Sequence, residues 1–230
     1  MSAAENISVV LLPGLDGTGE LLTALVDQLS PHRPVQLIAY PPTTLLGYDE
    51  LADFVVKHSP KERFVIVGES FSGPIAIEIA ATEPRVAGMV LVSSFCRHPM
   101  PSLFAPVANL LDLKWVPNAI VEWALLGTTG DTELKAHLRK VLATLPREVI
   151  RVRAAEALRV DKRDRLRAIT CPILCLQGRF DRLVRKKCLD EITSIQPRSQ
   201  VRWFAASHML METHPREAAQ SIKEFCDRLR

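Results

Sequence analysis

Residues 64–80 read FVIVGESFSGPIAIEIA. A strand-length apolar run enters Gly68-Glu69-Ser70-Phe71-Ser72-Gly73 and passes directly into a helical pattern with Pro74 in its first turn, where a missing N–H costs nothing. The junction is a strand–turn–helix with a serine at its apex. Similar apolar runs recur at 7–12, 35–40, 88–92, 173–177 and 200–204. Their near-continuous hydrophobicity is that of strands covered on both faces, hence a mostly parallel sheet. Segments 18–30, 48–58, 71–82, 185–195 and 215–229 fit crossover helices. The fold class predicted is α/β: a doubly wound sheet of about six strands.

The alternation stops between 95 and 168, where helical patterns at 117–126, 132–144 and 147–158 replace strands. Pro99, Pro101 and Pro106 punctuate its start, and Thr170-Cys171-Pro172 marks the return to the sheet. The expected organisation is a core of residues 1–94 and 169–230 with a helical cap insertion at 95–168.

At 230 residues the chain suits one domain, with 47% hydrophobic and 24% charged residues. No apolar run approaches the roughly 20 residues of a membrane helix. The N-terminal residues lack the basic start of a secretory signal, so a cytoplasmic protein is expected. A net charge of +3 is too small to argue for nucleic acid as a partner. Five scattered cysteines, without a CxxC pair or partnered histidine spacing, read as free thiols rather than metal ligands.

Ligands of open α/β sheets sit beyond the carboxyl ends of the strands, so chemistry is sought there. The first strand ends in Pro13-Gly14-Leu15-Asp16-Gly17-Thr18-Gly19. A phosphate loop would place Lys and Ser/Thr after Gly19, where Glu20 and Leu21 stand, and the glycine spacing of a dinucleotide fingerprint is also missing. At the third strand end, Ser70 has small residues two before and two after it, as a nucleophile elbow requires. A serine nucleophile needs a histidine base and an acid to orient it. Asp181 is the first acid after the fifth strand, and residues 91–111 contain no rival acid. His208 follows the sixth strand; His214 precedes Pro215 and reads as a surface turn residue. The oxyanion donors expected are the backbone N–H groups of Phe71 and Leu15, with Gly14 and Gly17 easing the loop's approach.

With Ser70, Asp181 and His208 in this order, the chain resembles the α/β-hydrolase superfamily over essentially its whole length. Within that superfamily, its small size and helical insertion are most similar to carboxylesterases of the pimeloyl-acyl-carrier-protein methyl ester esterase type. The resemblance implies ester or thioester hydrolysis through an acyl-serine intermediate, without metal or organic cofactor. Thioesterase and acyltransferase activity use the same parts, and a non-catalytic receptor on this fold is the alternative from another class. Two departures stand out. Pro13-Gly14 replaces the family's usual His-Gly, and the hairpin that usually precedes the first parallel strand is missing from the pattern.

The cap carries many apolar residues, among them Trp115 and Trp123, which are expected to bind substrate. Eight basic residues between 147 and 167 face only four acids. They read either as a solvated helix face or as a dock for an acidic acyl-carrier protein or coenzyme A phosphates.

Overall fold

Six apolar segments pair into one wholly parallel sheet in the computed structural model, which describes residues 7–99, 118–128 and 130–229. The strands are β1 Ser8–Leu12, β2 Val35–Leu37, β3 Phe64–Glu69, β4 Val86–Val92, β5 Ile173–Gly178 and β6 Gln200–Phe204, in the order β2-β1-β3-β4-β5-β6. All six lie on the predicted segments. β2 stops three residues short of the expected end: the Ile38 N–H still donates to Leu11 O at 3.0 Å, but the Tyr40 N–H turns to the Gly17 carbonyl at 2.8 Å. The chain leaves β1 toward β2 and returns to β3 on β1's other side, so the switch point lies between the ends of β1 and β3.

Described helices are α1 Thr23–Leu29, α2 Tyr48–His58, α3 Gly73–Thr82, α4 Asn118–Leu125, α5 Thr132–Thr144, α6 Arg147–Ala157, α7 Arg163–Ala168, α8 Lys186–Ile195, α9 Leu210–Thr213 and α10 Pro215–Asp227. The short α7 and α9 carry too few residues for a period and were not expected from the sequence. β3, β4 and β5 are buried at every position because helices cover both faces. On one face Val9, Leu11, Val67, Val90 and Leu174 pack against Leu25 of α1 and Ile222 and Phe225 of α10. On the other, Val10, Leu12, Ile66 and Leu91 meet Leu51 of α2, Ile75 of α3 and Leu189 of α8. Each such side chain contributes about 1.5–3 kcal/mol through burial. The edge strand β6 is instead partly exposed and carries Gln200 and Arg202, which suits a sheet margin.

α3 is apolar nearly all round and is packed accordingly, with only Glu78 reaching Lys162 at 2.8 Å and Arg165 at 3.1 Å. It ends at Glu83, extended in front of Pro84, as the residue before proline prefers.

Helices α4 to α7 fill the described part of the segment between β4 and β5, and this helical insertion fits a cap. An isolated antiparallel bridge between Arg97 and Asp161 closes its neck, with His98 N–H to Val160 O at 2.9 Å and Lys162 N–H to Cys96 O at 2.8 Å. The Lys162 ammonium fastens that neck to the core through Asp49 of α2 and Glu78 of α3, at 2.5 and 2.8 Å. Above the sheet, Leu126, Leu138 and Val141 pack with Leu21 and Met209. The cap therefore rests on the turn after β1 and on the residue following His208. Among the described residues no helix is long and apolar enough to cross a membrane.

Candidate active site

The turn after β3 is strained where the chemistry is expected. Ser70 has φ 47°, a left-handed conformation that costs a non-glycine residue roughly 1–2 kcal/mol. Its carbonyl accepts from the Ser94 hydroxyl at 2.7 Å and from the Gly73 N–H, so two neighbours hold the turn in place. Gly68 makes the turn possible: a Cβ there would lie 2.7 Å from the Ser72 carbonyl oxygen and 2.9 Å from the Ala76 Cβ. Gly73 is close to Ser94, two residues past β4, where a Cβ would collide with the Ser94 side chain.

Ser72, where this turn usually has glycine, is fully buried and has its own task. Its hydroxyl lies between the Pro13 carbonyl, to which it donates, and the Tyr40 hydroxyl, so it ties the turn after β3 to the loop after β1.

The structure brings the three predicted side chains into one hydrogen-bonded chain. His208 Nε2 is 2.8 Å from Ser70 Oγ, and His208 Nδ1 is 2.9 Å from Asp181 Oδ2. The Asp181 and His208 side chains are 1% and 6% exposed. Asp181 is held on both oxygens: Oδ1 accepts the Leu183 and Val184 N–H groups at 2.9 Å each, and Oδ2 accepts Gln177 Nε2 at 3.2 Å. Gln177, a buried polar residue at the end of an apolar strand, also donates to Val184 O at 3.0 Å and so shapes this loop. The Asp181 and His208 loops are laced together, with Arg179 N–H to Phe204 O at 2.9 Å and Phe180 N–H to Ala206 O at 3.0 Å. Burial disfavours a charged imidazole, but the Asp181 charge and hydrogen bond outweigh it, and the His208 pKa is raised. His214 takes no part; its Nδ1 meets its neighbour Thr213 Oγ1 at 3.0 Å.

The loop at residues 13–19 presents its carbonyls to donors. Pro13 O meets Ser72, Gly14 O the Gly17 N–H at 3.1 Å, and Gly17 O the Tyr40 N–H at 2.8 Å. Leu15 O and Asp16 O both accept from Arg153 Nη1, at 3.0 and 2.7 Å. The N–H groups of Leu15 and Phe71 enter none of these bonds. Phe71 is anchored by its ring, stacked on Tyr48 at 4.8 Å, at the foot of α3 where partial positive charge gathers. Gly17 is needed here, having φ 71° and standing where a Cβ would lie 2.2 Å from Arg153 Nη1. Gly14 meets neither constraint from the protein itself, because a Cβ there would make only ordinary 3.5 Å contacts.

A second carboxyl pair lies beside the first. Glu69, directly before Ser70, is 5% exposed and its carboxyl stands within hydrogen-bonding reach of Glu212 on α9. Glu212 keeps part of its surface in solvent, but its Oε2 is enclosed. Burial and the Glu212 charge hold Glu69 well above the carboxylate range, and burial pushes Glu212 up to about 7.

Trp115 lies outside the described residues. Trp123 is 55% exposed, with the Arg182 guanidinium over its ring at 4.3 Å. The basic excess at 147–167 is largely paired: Arg163 with Asp161, Arg165 with Glu78, Arg167 with Asp164 and Lys162 with Asp49 and Glu78. Arg153, grouped with them from the sequence, is 3% exposed and points inward to the loop after β1, so it offers nothing to a surface partner. Arg153, Gln177, Ser94 and the Glu69–Glu212 pair were not found from sequence. Gln177 and the Ser93-Ser94 pair left a trace, as polar residues ending apolar strands. The five cysteines are free, and burial pushes Cys96 and Cys175 up to about 12, away from reactivity at neutral pH. Among the described residues no group of three or more His, Cys, Asp or Glu side chains is arranged to hold a metal ion.

Residues 9–221 match the Alpha/beta hydrolase family. The chain is 27% identical to a pimeloyl-[acyl-carrier protein] methyl ester esterase of Citrobacter koseri, over 94% of this chain and 93% of that one. It is 26% identical to the protein of the same name in Proteus mirabilis, over 96% and 93% of the two chains. Among solved structures it resembles a hydrolase from Pseudomonas aeruginosa, with a TM-score of 0.82, 18% identity and coverage of 98% and 91%. A thermophilic esterase from Thermogutta terrifontis superposes with a TM-score of 0.80 at 21% identity, covering 97% and 90%.

Proposed function

The chain belongs to the alpha/beta hydrolase family, and on that premise we propose that it cleaves carboxylic esters through an acyl-serine intermediate, with Ser70, His208 and Asp181 as the catalytic residues. The observation that carries this is the unbroken chain of 2.8 and 2.9 Å contacts from Ser70 Oγ through the imidazole to a buried carboxylate. Ester hydrolysis is the chemistry in the names of the two curated relatives, which supports the same reading.

Ser70 Oγ attacks the ester carbonyl carbon as its proton passes to His208 Nε2. The imidazolium is stabilised by the Asp181 side chain, and the raised His208 pKa reflects that stabilisation. The Leu15 and Phe71 N–H groups hold the oxyanion. Collapse expels the alcohol, which takes the proton from Nε2. Water then attacks the acyl-serine, again with His208 as base, and releases the acid and Ser70.

Trp123 is assigned to the substrate side of the cap, because α4 abuts the histidine loop: the Met209 N–H donates to Leu125 O at 3.2 Å. A core of residues 1–94 and 169–230 capped by 95–168, working in the cytoplasm, fits this reading. Docking of an acidic acyl-carrier protein on the cap would fall to the exposed Arg159, since most of the neighbouring charge is neutralised, Arg151 by Glu148 at 3.6 Å among it.

A fluorophosphonate probe should label wild type and not Ser70→Ala. An acyl-length series of esters and thioesters should then be cleaved by wild type alone, with the preferred leaving group separating esterase from thioesterase. A folded wild type that stays unlabelled and inactive on every member would instead be a non-catalytic receptor.

A further inference from the structure

Arg153 stands on α6 in the cap, yet its guanidinium is spent on the loop after β1. Nη1 donates to Leu15 O at 3.0 Å and to Asp16 O at 2.7 Å, and Nη2 approaches Pro41 O at 3.4 Å. The group lies over the Tyr40 ring, 5.4 Å from its centroid, and makes no ion pair among the described residues. Removing a guanidinium from water without a carboxylate partner is expensive, and an apolar side chain of similar length would fill the space more cheaply. What only arginine supplies is a rigid planar fork that fixes carbonyls in a set geometry.

The carbonyls it fixes flank the proposed oxyanion donor. With Gly14 O closed by the Gly17 N–H, and Leu15 O and Asp16 O fastened to one nitrogen, the backbone on both sides of the Leu15 N–H is pinned. Gly17 is left without a side chain where Nη1 must pass. Resting on the esterase reading above, we propose that Arg153 is a positioning residue for the oxyanion hole, so that the cap holds the Leu15 donor in place as well as covering the site.

Two variants test this role: Arg153→Met, which keeps length but loses every donor, and Arg153→Lys, which keeps charge but not the fork. On a soluble p-nitrophenyl ester, kcat of the methionine variant should fall about 10–100-fold with KM within about threefold, less than the about 10²–10³ loss of an oxyanion donor itself. The rate of Ser70 labelling by a fluorophosphonate should fall in parallel, and the lysine variant should lie between. Millimolar guanidinium chloride should restore part of the kcat of Arg153→Ala and leave wild type unchanged. Variants that melt earlier but keep wild-type kcat and labelling rate, or loss confined to KM, would overturn the proposal; if the methionine variant does not fold, the lysine variant decides by the same criteria. A wild type that neither labels nor hydrolyses any ester would instead sink the esterase reading itself.

Discussion

Replacing Glu212 by Gln should flatten the dependence of stability on pH. In the folded protein Glu212 is pushed up to about 7 from the ordinary 4.5, chiefly by burial, with Asp16 adding repulsion and the Glu69 hydrogen bond opposing. The carboxyls of Glu69 and Asp16 surround it, and His208 lies beyond Glu69. A folded pKa above the unfolded one means that the native state binds the proton more tightly. The contribution is therefore complete below pH 4.5 and is lost as pH rises through about 7. Integrating a shift from 4.5 to about 7, the loss between pH 5.5 and 8.5 is about 2 kcal/mol. Glutamine cannot ionise and removes this loss, and its amide can donate to Glu69. Urea unfolding at pH 5.5, 7.0 and 8.5 should show the difference between variant and wild type growing by about 2 kcal/mol in the variant's favour, or about 4–8 °C in thermal midpoint. The substitution also lowers the Glu69 pKa by removing the Glu212 charge, so the difference reports on this pair together. Parallel curves for the two proteins would refute the reasoning.

Two further predictions concern the hydrogen-bonded chain and the turn below it. Since Asp181 raises the His208 pKa, kcat/KM should rise with pH through an ionisation above the ordinary histidine value of 6.5, and Asp181→Asn should lower both that ionisation and kcat, the latter by about 10³–10⁴; a pH–rate profile unmoved by the substitution would separate His208 from the reaction. Gly68→Ala should cost about 1–3 kcal/mol in urea unfolding, because its Cβ meets the Ser72 carbonyl oxygen at 2.7 Å, and should lower kcat more than KM as the turn shifts; a stable variant of full activity would show that the turn has room.

The sheet was legible because strands buried on both faces leave no choice of composition: β3, β4 and β5 are enclosed at every position and read as unbroken apolar runs. The candidate triad was legible for a related reason. Parallel strands bring their carboxyl ends to one edge, so a residue's place just after a strand already fixes its neighbourhood, and Ser70, Asp181 and His208 all stand there. Residues whose task depends on a partner distant in the chain and outside that edge left no such trace. Glu212 follows His208 closely, but nothing in the sequence turns it toward Glu69.

Arg153 shows why the local reading failed at the cap. In sequence it is one cation among eight, with the period of an ordinary solvated helix, and its acceptors at Leu15 and Asp16 stand 138 and 137 residues away. Helical period separates buried from exposed faces by hydrophobicity, and an arginine that is buried for its fork scores on the wrong side. The loop carried a complementary sign at Gly17, which has a positive φ and where a side chain would collide with that guanidinium. A glycine required by a distant cation looks, from sequence, the same as a glycine required by its own turn. The two differ in a double substitution: Gly17→Ala should cost markedly less activity in an Arg153→Met background than in wild type, because only backbone strain is then left to act. Equal losses in both backgrounds would return Gly17 to the role of a turn residue.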